Sequence, residues 1–275
     1  MLIDTHCHLD AAEFEDDRDA VIARSRQAGV RAIVIPAVGA NNFQAVRQLA
    51  GQLPGGAYAL GIHPLLVARA TEADLDSLKD CLQAWRDDPR LVAIGEIGLD
   101  FFVPEISTPS GRSRQEYFYQ RQLDLAVQFD LPVLLHVRRS QDVLLKHLRR
   151  RPTVGGIAHA FNGSFQQAQQ FIQQGFVLGF GGAMTFDRAL QIRRLAARLP
   201  GDALVLETDA PDIPPAWLGI AGAPIRPRNE PAQVAKIAEC LAQLRDEPAS
   251  QLIARCADNA VRVLPRLSAV LQTAR

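Results

Sequence analysis

Apolar runs of strand length recur along the chain, each followed by a stretch whose apolar positions fall at helical spacing. Residues 2–6 predict a first strand. The acidic group Glu15, Asp16 and Asp17 then opens a helix that carries Val21, Ile22 and Ala28 to a stop at Gly29. The same strand and helix unit recurs, with further strands predicted at 30–38, 58–62, 91–97, 132–136, 154–159, 176–179 and 203–208. Helices are predicted from about residue 42, over 72–85, 114–129, 140–148 and 165–173, through Leu190 and Leu195, and then over 231–244 and 249–263.

The predicted strands are almost continuous Val, Ile, Leu and Ala, without the polar alternation of a sheet that has one wet face. Such strands alternating with helices predict a parallel sheet covered on both sides, and its simplest closure is a (β/α)8 TIM barrel. No Gly-, Ser- or Pro-rich linker divides the chain, so one domain is expected over residues 1–265, with a C-terminal tail over 266–275. Two long irregular segments, 101–113 and the Pro- and Gly-rich 210–229, fall just after predicted strands. Barrel enzymes place their active-site loops there.

Composition narrows the partners. With 48% hydrophobic and 22% charged residues among 275, the chain has the make-up of a globular protein with a large core. Its formal net charge of +0 argues against a surface that is basic throughout, so any nucleic-acid contact must be local. No apolar run approaches the roughly 20 residues of a membrane span, and the opening MLIDTHCHLD has no basic-then-apolar leader. The four cysteines, Cys7, Cys81, Cys240 and Cys256, are scattered and expected to be reduced, which points to the cytoplasm; a monomer is favoured.

The candidate chemistry sits where strands run out. His6 and His8 form an HxH pair at the end of the first strand, and a side-chain period of two sends both imidazoles to one side. Cys7 between them faces the other way. Glu96 closes VAIGEIG, His136 closes PVLLH, His159 closes VGGIAH and Asp209 closes ALVLETD. Taken singly, each is as readily a helix cap or a hydrogen-bonding group. Together, in a barrel whose strand ends meet on one face, they converge on one cavity as four imidazoles and two carboxylates with no Lys or Arg among them. That inventory calls for cations.

Six ligands are too many for one tetrahedral site, so two divalent metals are expected. Glu96 is assigned as the bridge, His6, His8 and Asp209 to one metal, and His136 and His159 to the other. Nitrogen and oxygen donors without thiolate suit Zn2+, Mn2+ or Fe2+, and Mg2+ if more water completes the shell. His63 in GIHP is expected to touch substrate or to be structural. Arg138, two residues past His136, is expected to hold a phosphate oxygen or to pair with a neighbouring loop. Glu207 is placed in the barrel interior behind the ligands, His147 on a solvated helix face, and Arg149, Arg150 and Arg151 at a helix C-terminus.

The motifs IDTHCHLD, VAIGEIGLD, PVLLHVRRS, IAHAFNGS and ALVLETDAP, with a late RNEP and ADNA, resemble the TatD family of metal-dependent deoxyribonucleases of the amidohydrolase superfamily from end to end. The resemblance implies a (β/α)8 barrel, a divalent and often dinuclear centre, and hydrolysis of DNA phosphodiesters, commonly as a 3′ exonuclease. It carries the family's ligands onto His6, His8, Glu96, His136, His159 and Asp209. Glu96 stands where many amidohydrolases have a carboxylated lysine, which favours the TatD branch. Phe101 follows GLD where the family usually has Tyr, and the stretch between Asp209 and Asn229 is longer than in compact members.

The expected nucleophile is a metal-held hydroxide, with Asp209 as its general base, Glu96 beside it, and Arg138 and His63 assisting at the phosphate. Zero net charge favours single-stranded ends or short oligonucleotides over long duplex. Two alternatives use the same residues: an amidohydrolase of small substrates such as a cyclic amide, lactone or phosphotriester, and a binding barrel whose metals are structural.

Overall fold

The computed structural model describes residues 1–151, 155–219 and 227–273, and Val154, the expected start of the sixth strand, lies outside them. Eight strands pair in parallel, in chain order: β1 (Leu2–Asp4), β2 (Val30–Pro36), β3 (Gly56–Leu60), β4 (Leu91–Asp100), β5 (Val133–Arg138), β6 (Gly156–Ala158), β7 (Phe176–Phe180) and β8 (Leu204–Leu206). Between them run α1 (Arg18–Gln27), α2 (Phe43–Gln52), α3 (Glu72–Ala84), α4 (Pro109–Phe129), α5 (Gln141–Leu148), α6 (Phe165–Gln173) and α7 (Leu190–Arg198). After β8 come α8 (Val234–Arg245), α9 (Ala249–Val263) and α10 (Leu267–Thr273).

Local chemistry sets several boundaries. Gly29, at φ 89°, ends α1 with a left-handed residue that costs glycine no steric strain. Pro109 opens α4, where Thr108 Oγ1 accepts the Gly111 N–H at 3.1 Å. This puts the start of α4 five residues before the predicted 114, shortening the irregular segment after β4. At α6 the capping box is reciprocal: Ser164 Oγ accepts from Gln167 N at 3.1 Å and Gln167 Oε1 accepts from Ser164 N at 2.9 Å.

The strands bury both faces, as their composition predicts. One face packs against the surrounding helices, with Ile33, Ile35, Leu60, Leu135 and Leu178 in that layer. The other is a second apolar layer inside the barrel, built from Ile3, Ala32, Val34, Ala59, Val92, Leu134, Ile157, Val177 and Val205. Ala260, Val263, Leu264, Leu267 and Val270 join this inner layer, so α9 and α10 close the barrel at the end where the strands begin. Residues 266–275, expected as a tail, thus contain a helix whose Leu267 and Val270 are buried. Leu267, Val270 and Leu271 fall at helical spacing, but a run of seven residues was too short to mark a helix in the sequence.

The seam between β1 and the last strand is closed mostly beyond their ends. Thr5 N donates to Leu206 O at 3.1 Å, Asp209 N to His6 O at 2.9 Å, and His8 N to Ala210 O at 2.8 Å. Cys7 and Ala210 form a parallel bridge. Asp4, fully buried, accepts from Thr208 N at 2.9 Å and Thr208 Oγ1 at 2.6 Å, tying the first strand to the last by a side chain. Burial pushes its carboxyl up to about 7, against the pull of those hydrogen bonds. Residues 6, 8 and 209 are therefore neighbours because the barrel closes there.

Candidate metal centre

Alternation along the strands places Leu134 and His136, Ile157 and His159, and Val205, Glu207 and Asp209 on one inner face, with the apolar members below and the polar members at the mouth. Five of the six histidines gather there, around Glu96. The sixth, His147, lies elsewhere, and the expectation of a solvated position is corrected: it is buried, its Nε2 2.8 Å from Glu116 Oε2. On α5 it falls beside Leu144 and Leu148 on the buried face, and the flanking Lys and Arg concealed that stripe.

Glu96 is 1% exposed, and its two oxygens face different groups. Oε2 lies 3.0 Å from His6 Nε2 and 3.3 Å from His8 Nε2. Asp209 Oδ1 completes that group at 3.6 and 3.7 Å from the same two nitrogens. Oε1 lies 2.8 Å from His136 Nδ1, 2.9 Å from His159 Nε2 and 3.2 Å from His63 Nε2. The rings of His6 and His159 stack at 3.8 Å between centroids, joining the two groups. All six residues predicted as ligands are thus brought together. His63, expected at the substrate or in a structural role, stands 3.1 Å from His136 Nδ1 inside the second group.

Electrostatics show what this arrangement demands. Burial drives an imidazole toward neutrality. At His8 the hydrogen bond and charge of Glu96, with Asp209, outweigh it and lift the ring to about 9. His159 is lifted to about 10 against the same burial, by the charges of Glu96 and Asp209. His136 is also raised, through Asp100 and Glu96. His6 goes the other way, to about 3, because desolvation and the neighbouring His159 charge oppose a further proton. Glu96, although buried, is held well below the usual carboxylate range by the imidazoles around it. The cluster collects positive charge at the positions where divalent cations would sit.

The donor set fits such cations on its own chemistry. Three overlapping groups, His6 with His8 and Asp209, His6 with Glu96 and His159, and His63 with Glu96 and His136, each have ligand atoms within 4.8 Å of one another. All donors are nitrogen or carboxylate oxygen, matching borderline and hard divalent ions. Cys7 is buried in the outer core layer instead. Asp209 has φ 56°, a left-handed conformation that Asp adopts more readily than most residues, and which turns its carboxylate toward the two histidines.

Further residues position the candidate ligands. Asp100, which the sequence analysis did not single out, places Oδ2 3.1 Å from His136 Nε2, and its Oδ1 accepts from Phe102 N and Val103 N at 2.8 and 3.0 Å. The signal was available in strand alternation, because residues 96, 98 and 100 share one face. Arg138 Nη1 lies 3.7 Å from Asp100 Oδ2, its in-register neighbour at the end of β4 and not a loop residue. Glu207 is buried behind the ligands as expected, accepting from Ala160 N, with Oε1 3.8 Å from His159 Nδ1. Asn229, fully buried, donates through Nδ2 to Thr208 O at 2.8 Å and Asp212 O at 2.9 Å, bracing the turn that carries Asp209. Arg149 caps the C-terminus of α5.

Comparison with known proteins gives a consistent picture. The sequence pattern of the family described as TatD related DNase matches residues 3–265. The uncharacterized metal-dependent hydrolase YjjV of Escherichia coli K12 is 41% identical over 251 residues, 91% of this chain and 92% of its own length. Human deoxyribonuclease TATDN3 is 30% identical over 278 residues, 98% of this chain and 97% of its own. The crystal structure of the TatD homolog YjjV superposes with a TM-score of 0.87 at 39% identity, covering 96% of this chain and 98% of that one.

Proposed function

The chain belongs to the TatD family of metal-dependent hydrolases, and from that premise we propose that it cleaves phosphodiester bonds of DNA, as a 3′ exonuclease on single-stranded ends. The observation that carries the reading is the division of Glu96, one oxygen toward His6 and His8 and the other toward His63, His136 and His159. Two divalent cations, Mg2+, Mn2+ or Zn2+, would be held by His6, His8 and Asp209 on one side and by His136 and His159 on the other, with Glu96 shared. When bound they would supply Lewis-acid stabilisation of phosphoryl oxygens and lower the pKa of water.

The chain's own groups do the rest. Asp209 is the general base, and burial raises its carboxyl above the usual range, bringing it closer to the proton it must accept. Asp100 keeps a proton on His136 Nε2 and so leaves Nδ1 free to face the centre. Arg138, half-exposed at the rim, offers a guanidinium to the phosphate. His63 is a substrate contact that also lies within reach of the second group. The four free cysteines support a cytoplasmic setting.

The test is direct. Metal-stripped protein is given Mg2+, Mn2+ or Zn2+ with single-stranded DNA labelled at either end. Stepwise loss from the 3′ end is expected. Turnover of cyclic amides, lactones or phosphotriesters with none on DNA would move the substrate class, and no turnover on any phosphoester would favour a binding barrel.

A further inference from the structure

Next to the centre, the rim of the barrel holds an arrangement that the chemistry at Glu96 does not use. β5 ends at Arg138, and on a continuing strand the next side chain would leave from the opposite face. Arg139 instead adopts φ 56°, a left-handed conformation uncommon for a long side chain. That turn brings both guanidiniums onto one ring: Arg138 Cζ lies 3.9 Å and Arg139 Cζ 4.7 Å from the centroid of Phe102. Phe102 is itself 43% exposed, and its N–H is tied to Asp100 Oδ1 at 2.8 Å.

The charge here is not balanced. Among the described residues Asp100 is the one carboxylate paired with Arg138, at 3.7 Å, and it is already committed to His136. Among the described residues Arg139 has no ion pair or hydrogen bond; its contact is the Phe102 ring. Both cations share one ring, within a screening length of each other, roughly 10 Å at 0.1 M salt. Two like charges held this close by a strained backbone, in a chain of zero net charge, are relieved by an anion between or beside them.

We propose that Phe102, Arg138 and Arg139 form a binding subsite for the phosphodiester next to the one that is cleaved, so that the protein takes a nucleic-acid strand in preference to an isolated phosphate ester. The inference rests on the phosphodiesterase reading above. It adds Arg139, a residue outside the ligand cluster, as the side chain that measures out a second phosphate. Phe102 acts as the spacer that fixes where the two guanidiniums stand.

Binding of fluorescently labelled hexathymidylate to the full chain in a chelating buffer, followed by anisotropy over a salt series, tests this without depending on turnover. Arg139→Gly is the first variant, because glycine takes the left-handed backbone without strain and the fold is not at risk. It should weaken Kd about tenfold at low salt. It should also make the slope of log K against log salt shallower by about 0.7, the signature of one lost phosphate contact on a single strand. Arg139→Lys, which keeps the charge, should retain the slope. Wild type that binds and cleaves, with Kd and slope unchanged in Arg139→Gly, overturns the subsite alone. Wild type that binds with the predicted Arg139 dependence yet cleaves no DNA when metals are restored overturns the proposed activity and leaves the subsite standing. Wild type that does not bind the strand in the chelating buffer overturns the subsite, and cleavage of the same strand once metals are restored decides the activity separately.

Discussion

Replacing Asp100 by Asn isolates one contact in the candidate centre. The side chain has two tasks: Oδ1 accepts from Phe102 N and Val103 N, and Oδ2 faces His136 Nε2 at 3.1 Å. Asn keeps the first, because its carbonyl oxygen accepts the same two N–H groups and the amide is the same size. It inverts the second. An NH2 group then faces Nε2, so His136 is favoured as the tautomer with its proton on Nδ1, the atom 2.8 Å from Glu96 Oε1 and the one that must be bare to bind a cation. Removing such an orienting partner costs about 10- to 100-fold in metal affinity or activity, roughly 1.4 to 2.7 kcal/mol. Competition with a chromophoric chelator gives the affinity, and hydrolysis of end-labelled DNA gives the rate. The acid limb supplies an independent check. His136 and the two N–H donors, outweighing burial, hold the Asp100 carboxyl at about 2 against a usual 3.8. A depressed carboxylate contributes stability above its unfolded value and loses it as pH falls through the folded one. The wild type should therefore lose stability between about pH 4 and 2, and the variant should lose less there. Metal affinity and turnover both within twofold of wild type would show that Asp100 does not orient His136 for the centre.

Glu96→Gln should cost at least one metal equivalent per chain by elemental analysis and reduce turnover by a factor of 10³ or more, since metal-held charge stabilisation is worth several kcal/mol; two retained metals with full turnover would contradict the bridge. Asp209→Asn should bind metal measurably yet turn over at least about 100-fold more slowly, the scale of a lost general base. Metal loading should tighten as pH rises, because the ion must displace protons from His8 and His159, lifted to about 9 and about 10; calorimetry near neutral pH in buffers of different ionisation enthalpy should detect proton release, and none would refute this charge assignment. Leu267→Ala, at a fully buried position under the barrel, should destabilise by about 2 to 4 kcal/mol in urea unfolding, whereas an undocked tail would show no change.

The barrel and the gathering of the six candidate residues at its mouth were legible in the sequence because both depend on short-range periodicity. Near-continuous apolar strands announce burial on two faces, and a polar residue at the end of each such run is conspicuous; His136 after Leu134 and Leu135 is an example. What stayed hidden depends on which elements meet. The docking of α10 needed the open floor of the barrel, and the burial of His147 needed Glu116 on another helix as its partner. The division of Glu96 between two groups, the presence of His63 in one of them, and the hold of Asp4 and Asn229 on the turn at Asp209 arise at long sequence separation. Residue order thus determined which chemistry reaches the rim of the barrel, since strand alternation is a local rule. Only closure of the sheet decided which atoms face one another, because interatomic distances between strands follow from register and from the seam, where the first and last strands must find each other across the whole chain.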